Sequence, residues 1–294
     1  MSIEAATARD HRPQLVVITG ASGRIGSQVV PLLDRAGRTL RLVDTELPER
    51  VEEGPWGMAS GAPLRGSIEL HRASIERDDE IRAAVRGADA VVHLAALASE
   101  RPWADLVRVN IDGTQRVLEA AHLGGVRRVL LASSIHAVGF AHAGAAATTP
   151  VLVPRPDTFY GVSKAAVEAL GSVYADRYGM SVVSARICAF GAEPLPGGDL
   201  GHWLSPGDAA RLIEAAIALD DGRHHIVWGV SANAPGGFDL RAGWVIGFDP
   251  EDDAVRVLTE RDGVAPESAR SPAAARGPIG GEFTDADHPL GEQW

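Results

Sequence analysis

Leu15-Val-Val-Ile-Thr-Gly-Ala-Ser-Gly-Arg-Ile-Gly26 is the stretch on which the fold of this 294-residue chain turns. Its first five residues form a β-branched apolar run of the kind that fills a strand buried on both faces. A glycine turn follows, after which Ile25, Val29, Leu32 and Leu33 recur at helical spacing until Gly37 stops them. In such a strand–turn–helix, Gly20 permits the tight turn and Gly23 lets backbone approach a pyrophosphate. Gly26 lets helix and strand pack closely. The start of the helix then points free N–H groups and a partial positive charge at phosphate oxygens.

Outward from this loop, strand and helix patterns alternate. Thr39–Val43 reads as a second strand ending at Asp44, and Thr45–Gly66, rich in Pro, Gly and Glu, as an irregular excursion. Further strands are expected at Ile68–His71, Ala90–Leu94, Val129–Ala132, Ser181–Arg186 and Ile226–Trp228. Between them, Ile81 and Val85 mark a helix. Trp103, Leu106, Val107, Ile111, Thr114, Val117, Leu118 and Ala121 mark a long one, and Tyr160–Tyr178 another. Ser205-Pro-Gly-Asp208 supplies a cap, an N1 proline and an N3 acid directly before a helix at Ala209–Leu219. The expected class is α/β, a Rossmann-type doubly wound parallel sheet with a small C-terminal substrate-binding part. The organisation reads as an N-terminal extension (1–13), one nucleotide-binding and catalytic domain (14–262, its substrate part mostly 187–262) and a C-terminal tail (263–294). The tail is expected to pack on the body or on a neighbouring subunit.

Composition narrows the class. Lys and Arg number 28 against 39 Asp and Glu, a formal net charge of −11 that argues against a nucleic-acid binder. A single cysteine, Cys188, leaves no intrachain disulfide and no zinc spacing, and suits a reducing, cytoplasmic setting. Met1–Pro13 has charges and no apolar run, so it does not read as a signal peptide. Val129–Pro154 carries no Asp, Glu, Lys or Arg. Its serines, histidines and glycines still make it a buried strand with an active-site loop rather than a membrane span.

Asp44 stands where a carboxylate can accept both hydroxyls of an adenine ribose and repel a 2′-phosphate, which selects NAD over NADP. The expected cofactor contacts are Gly20, Ser22, Gly23, Arg24, Ile25, Gly26 and Asp44, with Ser74, Leu94, Ala95, Ala96 and Asn110 from later elements. Several of these have a second reading. Arg24 serves either the pyrophosphate or the solvated surface, Ser74 either the adenine or nothing, and Asn110 either backbone near the site or packing. Leu94, Ala95 and Ala96 read equally as core packing. His93 reads as structural, and adjacent His224 and His225 diverge and suit no metal.

Tyr160-Gly-Val-Ser-Lys164 puts a phenol and an ammonium on one helix face. A phenol titrates near 10, so a neighbouring cation is what makes it a base at neutral pH. Ser134, ending the fifth strand, can hydrogen-bond the same substrate oxygen. Tyr160, Lys164 and Ser134 are therefore the expected catalytic set, and Tyr160 and Lys164 also bound the cofactor.

Thr19–Gly26, His93–Ala96, Ala132–Ser134 and Tyr160–Lys164 together resemble the extended short-chain dehydrogenase/reductase superfamily, of NAD-dependent epimerase/dehydratase type. Within it the resemblance is strongest to uronate dehydrogenases, through Ser133–His136, Arg155–Asp157, Val227–Asn233 and Gly280–Phe283. The resemblance implies Tyr160 as proton acceptor, Lys164 on the nicotinamide ribose, Ser134 on the reacting oxygen and His136 in the sugar pocket. It also implies NAD as cofactor, a polyhydroxylated small-molecule substrate oxidised at its hemiacetal C1, and a homo-oligomer. No membrane or nucleic-acid partner is implied. The chain departs from that family at Gly198, where the family has a carboxylate-binding arginine, and at Ile135, Ala98 and Ala189, where it has polar groups. Arg101, Arg155 or His202 would have to replace the lost cation, or the substrate carries no carboxylate. Two other functions stay open: a nucleotide-sugar epimerase or dehydratase that reduces NAD only transiently, and a non-catalytic NAD-binding regulator.

Overall fold

The computed structural model describes residues 14–56, 64–194, 199–234, 237–263 and 277–293. Its strands are β1 (Leu15–Thr19), β2 (Thr39–Asp44), β3 (Ser67–Arg72), β4 (Ala90–His93), β5 (Arg128–Ser134), β6 (Ser181–Ile187), β7 (Ala189–Phe190), β8 (Trp203–Leu204) and β9 (His224–Gly229). Helices α1 (Gly26–Leu33), α2 (Asp78–Val85), α3 (Trp103–Leu106), α4 (Gly113–Leu123) and α5 (Ala143–Ala146) lie in the first half. They are followed by α6 (Phe159–Tyr178), α7 (Pro206–Ala218), α8 (Arg241–Val245) and α9 (Ala254–Asp262).

Seven strands form one all-parallel sheet in the order β3-β2-β1-β4-β5-β6-β9. The order reverses direction at β1 and β4, which opens a crevice at the carboxyl ends of those two strands. Both faces are covered, so successive strand residues are buried alternately in two cores. Val16 and Ile18 pack with α1 and α7, and Val17 with α2, α4 and α6. This is why the strands read as continuous apolar runs rather than alternating ones.

Local chemistry explains the helix starts. Ser205 accepts the Asp208 N–H at 2.8 Å, and Pro206 opens α7 behind it. Thr158 caps α6 by accepting the Gly161 N–H at 3.1 Å. Two expectations change in the structure, and one pair of strands is new. Leu32 is 53% exposed because α1 turns its Gly26, Val29, Val30 and Leu33 stripe inward and leaves Leu32 off-phase. The long helix of residues 103–121 is interrupted by a π-helical stretch at Val107–Asp112 between α3 and α4. A wider turn of that kind is invisible to apolar spacing. The short parallel pair β7 and β8 was not signalled by alternation, since each strand has only two residues.

No helix among the described residues is long and apolar enough to cross a membrane.

Candidate active site

The loop after β1 is shaped by backbone proximity. Gly20 has φ +70°, and a Cβ there would lie 2.6 Å from the Ala95 amide nitrogen. A Cβ on Gly26 would lie 2.5 Å from the Ala21 carbonyl oxygen. Only glycine fits either place. Trp56, fully buried, donates its indole N–H to the Ala21 carbonyl at 2.9 Å and braces the loop from the excursion between β2 and β3. Asp44 accepts the Ser22 and Thr45 backbone N–H groups at 3.0 and 2.8 Å, which fixes its carboxylate at the end of β2.

Above this loop lies a crevice of about 380 Å³. Of the expected cofactor contacts, Gly20, Gly23, Arg24, Ile25, Gly26, Asp44, Ser74, Leu94, Ala95 and Ala96 line it. A narrow cleft over a helix N-terminus, floored by glycine and ended by an acid, fits a dinucleotide. Glu76 and Ala98 also line it and stood outside the expected set. Ser74 uses its hydroxyl to accept the Glu76 N–H at 3.2 Å, so it closes a turn as well as facing the cleft.

Asn110 does not line the crevice. It is buried behind it, accepting the Leu97 N–H at 2.8 Å and donating to the Leu97 carbonyl and to Ser163 Oγ at 3.0 and 2.9 Å. Ser163 in turn donates to the Tyr160 carbonyl at 2.7 Å. Asn110 thus ties the crevice wall to α6, with every polar atom engaged inside the protein.

Ser134, Tyr160 and Lys164 meet at the carboxyl end of β5, where the Ser134 hydroxyl hydrogen-bonds the Tyr160 phenol. Lys164 donates to the Ala132 carbonyl at 2.7 Å and lies 5.6 Å from the centre of the Tyr160 ring. Burial pushes the phenol of Tyr160 up to about 12, against the opposing pull of Ser134 and the Arg24 charge. Burial also brings the Lys164 ammonium down to about 8. The phenol therefore keeps its proton unless positive charge gathers around it.

His136 stands beside this set, its ring 5.8 Å from that of Tyr160. Its Nδ1 is 2.7 Å from Asp157 Oδ2, a carboxylate whose side chain is fully buried. Phe283 of the C-terminal segment lies against the His136 ring at 4.1 Å. Two further groups bear on the site. Glu100, fully buried, accepts the Tyr160 N–H at 2.7 Å and the Gly291 N–H at 2.8 Å. His202 is 3.3 Å from Asp199, packs on Phe238 and lies near His136. Glu100 carried no sequence signal, being one acid among many. Arg155 is exposed, and Arg101 donates to the Glu100 carbonyl at 2.7 Å. Gly198 lies outside the described residues; Ile135 is buried in an apolar cluster with Val138 and Trp228, and Ala189 is exposed on β7.

His93 fills a structural place, with Nδ1 2.7 Å from Thr19 Oγ1 and Nε2 3.0 Å from Thr114 Oγ1. Burial first, and then the Lys164 charge, lower its pKa to about 3. The unfolded chain binds a proton near pH 6.5 that the folded one refuses, so stability falls as pH drops through this window. At about 1.4 kcal/mol per pH unit, His93 should cost roughly 2 kcal/mol between pH 6.5 and pH 5. Urea unfolding at pH 7 and pH 5 should show a drop smaller by that amount in His93→Gln; an equal drop in both proteins would refute the assignment. His224 and His225 take separate partners, Ser184 and Asp221.

Residues 16–225 match the NAD dependent epimerase/dehydratase family. The chain belongs to this family. It is 34% identical to a uronate dehydrogenase of Pseudomonas syringae pv. tomato, covering 81% of this chain and 82% of that one. It is also 34% identical to an NAD-dependent glucose-6-phosphate dehydrogenase of Haloferax volcanii, covering 84% and 97%. A crystal structure of Agrobacterium tumefaciens uronate dehydrogenase, a mutant complexed with NAD, superposes with a TM-score of 0.75 at 28% identity, covering 94% and 99%. The family chain is thus an NAD-dependent enzyme of the dehydrogenase type that works on CH–OH groups, with the Rossmann-like sheet expected from its phosphate loop.

Proposed function

We propose that this family member is a sugar dehydrogenase that oxidises the ring-form C1 hydroxyl of a neutral aldose, or of a related polyhydroxylated alcohol. The observation that carries the reading is the meeting of Ser134, Tyr160 and Lys164 beside the dinucleotide crevice. Ser134 and Tyr160 grip the C1 oxygen. The hydroxyl proton passes to Tyr160 in its phenolate form, which becomes the phenol, the C1–H bond gives up its hydride, and C1–O becomes the carbonyl of a lactone. Bound NAD+ supplies the hydride acceptor. Lys164 and Arg24 provide the positive charge that lowers the cost of a phenolate in this buried place. His136, held through Nδ1 by Asp157, turns Nε2 to a second sugar hydroxyl.

The relatives do not choose the substrate, since equal identity joins the chain to a uronate enzyme and a sugar-phosphate enzyme. The charges favour a neutral ring. Burial lowers the pKa of His202 and so favours its uncharged form at neutral pH, while Asp157 and Asp199 bring carboxylates to the sugar side. The resemblance to uronate dehydrogenases would put a carboxylate-binding arginine at position 198, and the glycine there points the same way; losing a bidentate clamp costs roughly 2–4 kcal/mol of binding.

The test is NADH formation by purified protein with NAD+ against glucuronate, galacturonate and the matching neutral aldoses. Turnover of the aldoses at tenfold or higher kcat/KM than the uronates is expected. Preference for the uronates would overturn the neutral-substrate reading. Conversion of a nucleotide sugar without net NADH would replace it with epimerase or dehydratase chemistry.

A further inference from the structure

The C-terminal segment reaches the active site from the far end of the chain and is bonded to it at both ends. At its start, Ile279 and Gly280 donate to the carbonyls of Ala141 and Gly139, both at 2.9 Å, and Gly277 accepts the Ala143 N–H at 3.1 Å. Gly280 is pressed so close that a Cβ would lie 2.2 Å from Asp157 Oδ2, the oxygen that holds His136. At its other end, Gly291 donates to Glu100. Between these anchors Phe283 lies on the His136 ring, with His288 4.6 Å behind it.

We propose that this segment is the closing wall of the substrate pocket. In that wall Phe283 is a specificity-determining residue, and Glu100 is the clasp that holds the wall to the catalytic helix. The His136 ring has the Tyr160 ring 5.8 Å and the Phe283 ring 4.1 Å away, so a sugar that reaches both His136 and Tyr160 passes close to Phe283. The apolar ring carbons there pack by shape against the carbon skeleton of a pyranose and admit or exclude the substituent on its C5. Glu100 couples wall and chemistry because its two oxygens accept one N–H each, from Gly291 and from Tyr160 at the first turn of α6. A carboxylate is needed for this. Glutamine has one acceptor and would turn its NH2 donors toward an N–H.

The substrate arm of the test rests on the dehydrogenase reading; the clasp arm does not. In Phe283→Ala, the ratio of kcat/KM between a pentose and the hexose that differs only by the C5 hydroxymethyl group should shift tenfold or more. The Kd for NADH should stay within twofold, because Phe283 does not line the dinucleotide crevice. A wall that only stabilises the fold would scale both sugars by one factor, and an unchanged ratio overturns the assignment. In Glu100→Gln, amide hydrogen exchange should quicken tenfold or more across residues 277–291 and 139–143 while the β1 and β4 amides keep their protection. Unaltered exchange in the segment overturns the clasp. If the wild-type protein oxidises no sugar at all, the dehydrogenase reading falls by itself and the exchange measurement still decides whether the wall is seated as described.

Discussion

Tyr160→Phe should lower kcat for sugar oxidation by about 10³-fold, within the range that a positioned general base supplies. The ring is 7% exposed and packs against His136 and Lys164, and phenylalanine preserves that packing. What is lost is the oxygen that Ser134 hydrogen-bonds and that takes the substrate proton. NADH affinity should change less than twofold, since Tyr160 does not line the dinucleotide crevice. Steady-state kinetics with NADH fluorescence titration separates the two effects. A variant with wild-type turnover would remove Tyr160 from the chemistry. Tight NADH binding with no turnover would leave the cofactor site intact and place the defect in proton transfer.

Arg186→Met should destabilise the fold by about 3–5 kcal/mol, the usual cost of stranding one partner of a buried ion pair. Arg186 and Glu168 are 1% and 3% exposed and join through Nε and Nη2 at 2.8 Å each. The remaining capacity is used as well. Glu168 Oε1 accepts the Ser133 hydroxyl at 2.7 Å, Arg186 Nη1 donates to the Leu152 carbonyl at 2.9 Å, and the guanidinium lies 5.7 Å from the Trp228 ring. Removing the arginine leaves the Glu168 carboxylate unpaired in the protein interior, bonded to Ser133, the residue before Ser134. The double change Glu168→Leu with Arg186→Met should recover a large part of the loss, because no charge is then left without its partner. Urea unfolding of the two variants checks this. A single variant within about 1 kcal/mol of wild type would show that water reaches Glu168 and that the pair is not buried in solution.

The sheet and its dinucleotide end were legible in the sequence because their signals are local. The run Leu15–Thr19, the glycine turn and the capping box at Ser205 each act within a few residues, where covalent geometry and side-chain spacing set the outcome. The same holds for Tyr160 and Lys164, one helical turn apart on α6. Asp44 could be placed because it ends the strand run that follows the glycine loop and its helix, and the structure pairs that strand with β1.

The sugar side obeyed no such rule. The π-helical stretch at Val107–Asp112 set Asn110 behind the crevice wall, although the apolar spacing on either side reads as one helix. The His136–Asp157 pair spans 21 positions, and Glu100 meets Gly291 across 191. Nothing in the residues around Glu100 distinguishes it from an exposed acid. Only the close approach of α6 and the C-terminal segment strips its water and gives each oxygen an N–H to accept. Local sequence chose the strands, the turns and the reactive groups, since those depend on neighbours along the chain. Which groups face the substrate depended on packing between distant segments, and that was decided when the fold closed.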